Sequence, residues 1–400
     1  MIIGVGTNTC FITRYQSPDL PSPTIMTSPQ KLNGGGWIMI NAEPEPEHET
    51  NKDGKPPYTI PSMQEINEIP PNGYTVASTF SGCGGSCLGY RMAGFKVLWG
   101  NEFIPAAQAS YRANMSTGSI LDGRDIKVVR PEEILEVTGL KKGELDLFDG
   151  SPPCQAFSTS GKREKDWGKN KTYENGASQC NETLFFEYIR ILRGLMPRTF
   201  VAENVSGLIK GAAKGYFLEI LHGLKACGYR VGVRVLDAQW LGVPQTRQRV
   251  IFVGVREDLT AEPVHPKPLP YRYSVRDALP WIERAVHDTS GRPGFSCGEI
   301  TNVPAPAVLA SCTSLFVDQE TQAQSGAFSN TRRRFTITEV KRICSFPDDF
   351  ILLGSFSRQW ERLGNSVPPL MMRAVAEVIR DNILNKSNIL VYNKSEVRHV

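Results

Sequence analysis

From Tyr74 onward, short apolar runs alternate with helical patterns, and this alternation restricts the chain to a small set of folds. Tyr74-Thr75-Val76-Ala77-Ser78-Thr79-Phe80 reads as a strand. A glycine turn follows it, and a helix is predicted over 86–92. Further strands are predicted at 96–101, 145–149, 199–202, 230–237 and 249–255. Between two of them, 181–195 places Leu184, Phe185, Tyr188, Ile191, Leu192 and Leu195 on one helical face, with Asn181 as the expected N-cap. Strands that alternate with helices predict an α/β fold, a mostly parallel sheet with helices on both faces.

The flanks differ in character. Residues 1–55 are rich in Pro, Ser, Asn, Gly and Glu and read as a disordered extension. After Arg256 the pattern gives way to short segments punctuated by Pro, Ser and Gly, the mark of a separate small module over 256–345. The expected division is therefore a main domain over 56–255, that module, a returning segment over 346–385 and a tail over 386–400.

Composition sets limits rather than a function. A net charge of +4 permits a nucleic-acid partner without demanding one. No apolar run approaches the roughly 18 residues that span a membrane, and the N-terminus lacks a secretory pattern, so a cytoplasmic protein is expected. The nine cysteines are scattered and contain no Cys-x-x-Cys pair, which argues against a disulfide framework or a structural zinc site.

Two strand ends carry chemistry. Phe80-Ser81-Gly82-Cys83-Gly84-Gly85 lets a ligand approach the backbone, and Glu102 follows the second strand, 20 residues beyond Gly82. An acid in that place accepts from ribose hydroxyls. The Gly-x-Gly-x-x-Gly spacing of dinucleotide sites is not met, because position 87 is Cys. Phe80 and the later Asp125-Ile126 suit a nucleoside without a pyrophosphate; the plainer reading is that the glycines only make a turn. At the second strand end, Ser151-Pro152-Pro153-Cys154-Gln155-Ala156 presents a cysteine on a stiff loop just past a buried run. Free cysteine is more often a core residue, but two prolines and a polar sequel favour a nucleophile here.

With Glu203-Asn204-Val205, Gln245-Thr246-Arg247-Gln248-Arg249 and Gly364-Asn365-Ser366-Val367, these motifs occur in an order that resembles the DNA (cytosine-5) methyltransferases over roughly 56–385. The resemblance implies a Rossmann-like methyltransferase fold, S-adenosyl-L-methionine as cofactor, double-stranded DNA as substrate and a base flipped out of the duplex. It implies Cys154 as the nucleophile that adds to carbon 6 of cytosine, and Glu203 as the group on the ring's N3 and amine edge, partly protonated if desolvated. Arg249 would hold the flipped nucleotide. Arg247, two residues away and so expected on the same strand face, would brace the Cys154 loop.

By the same resemblance Phe80, Gly82, Gly84, Gly85, Glu102, Phe103, Asp125, Ile126, Pro153, Leu184, Asn365 and Ser366 form the cofactor site. Gln155, Ser158, Ser160, Lys162 and Arg163 open a loop for DNA, in which 162–171 carries five basic residues against two acids. No metal is expected.

The chain departs from the family pattern in three places. The loop between Gly161 and Asn181 is long, Asn181-Glu182 replaces a common Arg-Gly, and the interval from Arg256 to Arg332 is short for a target-recognition region, which predicts a short or degenerate target. A restriction-modification or phage enzyme, acting as a monomer with a cognate endonuclease as its partner, is the expected setting. The alternatives are a transfer-RNA cytosine methyltransferase, disfavoured by the lack of a Cys-Phe-Thr signature, a catalytically silent DNA-binding protein and, remotely, a thiol hydrolase.

Overall fold

The computed structural model describes residues 54–115, 118–153, 183–209, 213–289, 298–310, 314–322 and 328–386, plus the backbone of five short strands elsewhere. Three of those, Ile2–Val5, Cys10–Thr13 and Trp37–Met39, pair in a small antiparallel sheet of their own. The remainder of 1–53, and with it most of the expected disordered extension, lies outside the described residues.

The central sheet has seven strands: β1 (Thr75–Thr79), β2 (Lys96–Asn101), β3 (Ile120–Asp122), β4 (Leu147–Gly150), β5 (Thr199–Val205), β6 (Tyr229–Asp237) and β7 (Gln248–Arg256). Their order is β6-β7-β5-β4-β1-β2-β3. Every pair from β5 to β3 is parallel, and β7 runs antiparallel to both β5 and β6. The strand order turns back at β1 and β4, and in open α/β sheets ligands bind beyond the carboxyl ends at such a point.

Helices cover both faces because the strands are apolar on both. Val76, Leu147, Val201, Ile251 and Val253 point to one side, where α1 (Met63–Glu68), α2 (Gly85–Met92) and α10 (Pro369–Ile379) pack. Ala77, Phe148, Phe200, Ala202 and Phe252 point to the other, against α4 (Pro131–Thr138), α5 (Leu184–Leu195) and α6 (Lys214–Lys225). All six residues of the predicted α5 face are buried. The helix begins at Leu184 with Thr183 at its N-cap, and the expected cap Asn181 lies outside the described residues. The remaining main-domain helix is α3 (Pro105–Met115).

The expected small module has more regular structure than its sequence suggests. After α7 (Val275–Ala278), strands β8 (Arg284–His287), β9 (Gly298–Glu299), β10 (Leu315–Gln322) and β11 (Phe328–Arg334) form an antiparallel sheet in the order β9-β8-β10-β11. Its inner residues Ala285, Leu315, Val317 and Phe335 join the same apolar cluster as β1 and α2. Helices α8 (Ile337–Ile343) and α9 (Phe356–Asn365) lead back to α10. Thr336 and Glu339 cap α8 reciprocally, and Arg333 pairs with Glu339 at 2.7 Å.

Candidate active site

Strand register lines up the site. Thr79 and Ala202 both lie opposite Gly150, and Asn101 lies opposite Thr79, so one row crosses β5, β4, β1 and β2. The next residue of each strand, Glu203, Ser151, Phe80 and Glu102, therefore emerges at the same edge of the sheet.

At the β1 end the chain turns sharply. Phe80 has φ +55, a strained value for a residue with a side chain, and Gly82 and Gly84 have φ +58 and +104. Glu102 holds this turn: its Oε2 accepts from the Gly82 amide at 2.8 Å and its Oε1 from the Ile104 amide at 2.7 Å. Burial raises the Glu102 carboxyl above its usual range, and those amide bonds oppose the rise. Phe103 follows on the same loop, and Asp125 accepts from the Lys127 amide at 3.0 Å. Ile126 is buried, with its carbonyl held by Arg190 of α5 at 2.7 Å, and Leu184 is fully buried. Pro153 is half-buried.

The C-terminal segment closes the other side. Exposed Asn365 ends α9, and Ser366 Oγ donates to the Arg362 carbonyl at 2.6 Å and sits 3.2 Å from Cys83 Sγ. A Cβ on Gly85 would lie 2.4 Å from the Val367 carbonyl oxygen. The N-terminus of α2 is thus covered by chain, where a dinucleotide's pyrophosphate would need it open. A Cβ on Gly82 would meet nothing within 4 Å. The site fits a nucleoside whose ribose reaches Glu102 beside open space at Gly82, and not a dinucleotide.

At the β5 end, buried Glu203 and half-buried Arg249 form an ion pair, Nε to Oε1 at 2.7 Å. Antiparallel register explains it: Arg249 lies opposite Val205, so Glu203 is its diagonal neighbour on the same face. Burial lowers the guanidinium's hold on its proton, and Glu203 acts in the opposite sense. Beside it, Asn204 Nδ2 donates to the Pro152 carbonyl at 3.0 Å, which ties the exit of β4 to the end of β5.

Arg247 departs from the expected strand geometry. β7 starts at Gln248, so Arg247 precedes the strand, and its partners differ from those of Arg249. Its Nη1 donates to the Val308 carbonyl at 3.1 Å and its Nη2 to the Gly364 carbonyl at 2.8 Å. It is buried, and it links the small module to the C-terminal segment.

Cys154, Gln155, Ser158, Ser160, Lys162 and Arg163 lie outside the described residues. Cys83, Cys87 and Cys344 are buried, and burial pushes each thiol up to about 11; it raises Cys227 as well. None of these four is suited to attack a base. Sequence reasoning passed over Asp149, a fully buried acid that accepts from Ser78 Oγ at 2.7 Å and Tyr90 Oη at 2.9 Å. Desolvation pushes it up to about 7, with the Glu203 charge adding to the rise. The signal was available, since an acid inside an apolar strand needs partners.

An open sheet with a glycine turn and a buried acid at its switch point, and an acid–arginine pair one strand away, is an α/β framework suited to a nucleoside cofactor. The sequence model described as C-5 cytosine-specific DNA methylase matches residues 74–290 and 277–381. The chain belongs to that family: it is a cytosine-5 methyltransferase that uses S-adenosylmethionine as methyl donor. It is 27% identical to the type II methyltransferase M.NgoPII of Neisseria gonorrhoeae over 80% of this chain and 99% of the relative. It is 29% identical to M1.HphI of Haemophilus parahaemolyticus over 76% and 86%. Among solved structures, a prophage-encoded DNA modification methyltransferase of E. coli aligns with TM-score 0.58 and 20% identity over 78% of this chain and all of that one. DNMT2 of Spodoptera frugiperda aligns with TM-score 0.55 and 19% identity over 77% and 99%, a likeness of fold. Among the described residues no helix is long and apolar enough to cross a membrane.

Proposed function

We propose that this enzyme methylates cytosine in double-stranded DNA, as the modification partner of a type II restriction endonuclease or as a phage enzyme in the bacterial cytoplasm, and that Cys154 is its nucleophile. The observation that carries this reading is the Glu203–Arg249 pair at 2.7 Å, beside a β4 exit that Asn204 holds through the Pro152 carbonyl. Cys154 follows Pro153 directly.

Carbon 5 of cytosine is a poor nucleophile. Addition of the Cys154 thiolate at carbon 6 forms an S–C bond and shifts the ring's electron pair toward carbon 5 and N3. Oε1 of Glu203 is held by Arg249, so Oε2 faces the base, where it accepts from the exocyclic amine or, carrying a proton, donates it to N3 as negative charge develops there. The arginine lies against the same carboxyl as electron density builds there. S-adenosylmethionine supplies an electrophilic methyl group when bound. Glu102, Phe80 and Phe103 orient its nucleoside end, and the chain over Gly85 keeps it in place. Release requires loss of the carbon-5 proton together with departure of the Cys154 thiolate, which restores the ring.

The base must leave the duplex to reach this edge of the sheet, so the proposal includes flipping, with Gln155, Ser158, Ser160, Lys162 and Arg163 on the DNA side. The recognition module spans 256–345 and the cofactor domain 56–255. Labelled methyl transfer to mixed-sequence duplex DNA and to transfer RNA tests this. Transfer to the duplex by the intact enzyme and none by Cys154→Ala is expected. Transfer to transfer RNA alone would overturn the DNA reading.

A further inference from the structure

Residues 54–63 cross from the recognition module to the main domain. Lys55 Nζ meets Asp277 Oδ2 at 2.8 Å and lies 5.6 Å from the centre of the Tyr273 ring. Tyr273 Oη donates to the Pro56 carbonyl at 3.1 Å, and its ring is 5.0 Å from that of Tyr58. Tyr58 Oη donates to the Arg342 carbonyl at 2.8 Å. The Met63 amide donates to both oxygens of Asp349 at 3.0 Å, and Met63 and Ile66 are buried in the apolar cluster that holds α2.

These contacts fall on a meaningful pair of places. Tyr273 and Asp277 flank the start of α7, which leads into the module's strands, and the Lys55 partner Asp277 also caps that helix by accepting from Ser274 at 2.7 Å. Arg342 lies in α8, where the chain leaves the module. One short segment therefore ties the entry of the module to its exit and anchors both on α1. On the other side Arg247 holds Val308 and Gly364. The module also shares an apolar cluster with the main domain, and a polar tie across both crossings further limits how the two shift against each other.

We propose that residues 55–63 form a positioning strap, with Lys55 and Tyr58 as its positioning residues, that sets how the recognition module presents DNA to Glu203. This rests on the DNA reading above. The two pairs on it are of different depth. The Lys55–Asp277 pair is partly exposed and modest alone, whereas the Tyr58 bond and ring contact are more sheltered.

The test uses the full chain with Lys55→Met, Tyr58→Phe and the double variant, and Lys55→Arg as the conservative control. The double variant should raise KM for duplex DNA by about tenfold, a change of about 1.4 kcal/mol, and spread methylation to cytosines outside the preferred context. kcat and cofactor affinity should stay within about twofold, and Lys55→Arg should restore the intact behaviour. Amide exchange over 272–279 and 337–343 should quicken, with β1 and β4 unchanged. An unchanged KM and methylation pattern, even with a lowered melting temperature, would overturn the strap, because a merely structural role moves stability alone. If the intact enzyme methylates only transfer RNA, the DNA reading fails instead. The exchange data then decide the strap: unchanged exchange over those two segments refutes it.

Discussion

At the cofactor end, three chain segments meet backbone to backbone. A Cβ on Gly85 would lie 2.4 Å from the Val367 carbonyl oxygen, Glu102 grips the Gly82 amide, and a Cβ on Gly89 would lie 2.6 Å from the Pro369 carbonyl oxygen. In the small module, exposed arginines add ion pairs across the paired strands. Arg284 reaches Glu299 and Asp318, and Arg332 reaches Asp318 and Asp288, with both arginines about half exposed. The contrast separates two ways of holding a shape. Close backbone contact tolerates almost no substitution, so it leaves fixed motifs; surface charge pairs can be exchanged in sign and place without loss of the sheet.

Gly85→Ala tests the rigid end hardest. Its Cβ would collide with backbone rather than with a side chain that can swing away. A loss of at least about 3 kcal/mol in urea unfolding is expected. Stability within about 0.5 kcal/mol of the intact chain would break the comparison.

Asp149 sharpens it, because this acid lies buried under the same end, where the Ser78 and Tyr90 hydroxyls donate to it. Its carboxyl is raised to about 7, mainly by desolvation, so the folded chain holds a proton that the unfolded chain releases near pH 4. The stability that proton contributes is complete below pH about 4 and is lost as pH rises through about 7. Asp149→Asn removes that dependence. The stability of the variant relative to the intact chain should therefore improve between pH 5 and pH 8, read from urea midpoints. A difference independent of pH would refute the assignment.

Arg332→Ala should have the smallest effect. Its pairs are exposed, so their loss should barely move the urea midpoint, and still less in high salt. A cost matching that of Gly85→Ala would erase the distinction between the two regions.

The same contrast explains what the amino-acid sequence makes legible. β2 is readable to the residue, and the buried face of α5 follows from helical spacing, because apolar side chains there meet a single core. The β1 turn and Glu102 are readable because close approach demands glycine and a fixed acid. β10 and β11 are not, since Asp318, Gln319, Arg332 and Arg333 carry ion pairs and solvent contacts rather than an apolar period. The partners of Arg247, which directly precedes β7, are not readable either, because the Val308 and Gly364 carbonyls it bonds lie far along the chain. The strap contacts join residues more than 200 positions apart in sequence, so local pattern carries no trace of them.

The most direct test of the account is a duplex carrying 5-fluorocytosine, incubated with the enzyme and S-adenosylmethionine and then denatured. Fluorine cannot leave as a proton, so an enzyme that adds Cys154 to carbon 6 should stay bonded to the DNA in a 1:1 complex. That complex should be absent with Cys154→Ala and slow to form with Glu203→Gln. Normal methylation of ordinary DNA with no such complex on the fluorinated duplex would contradict the account.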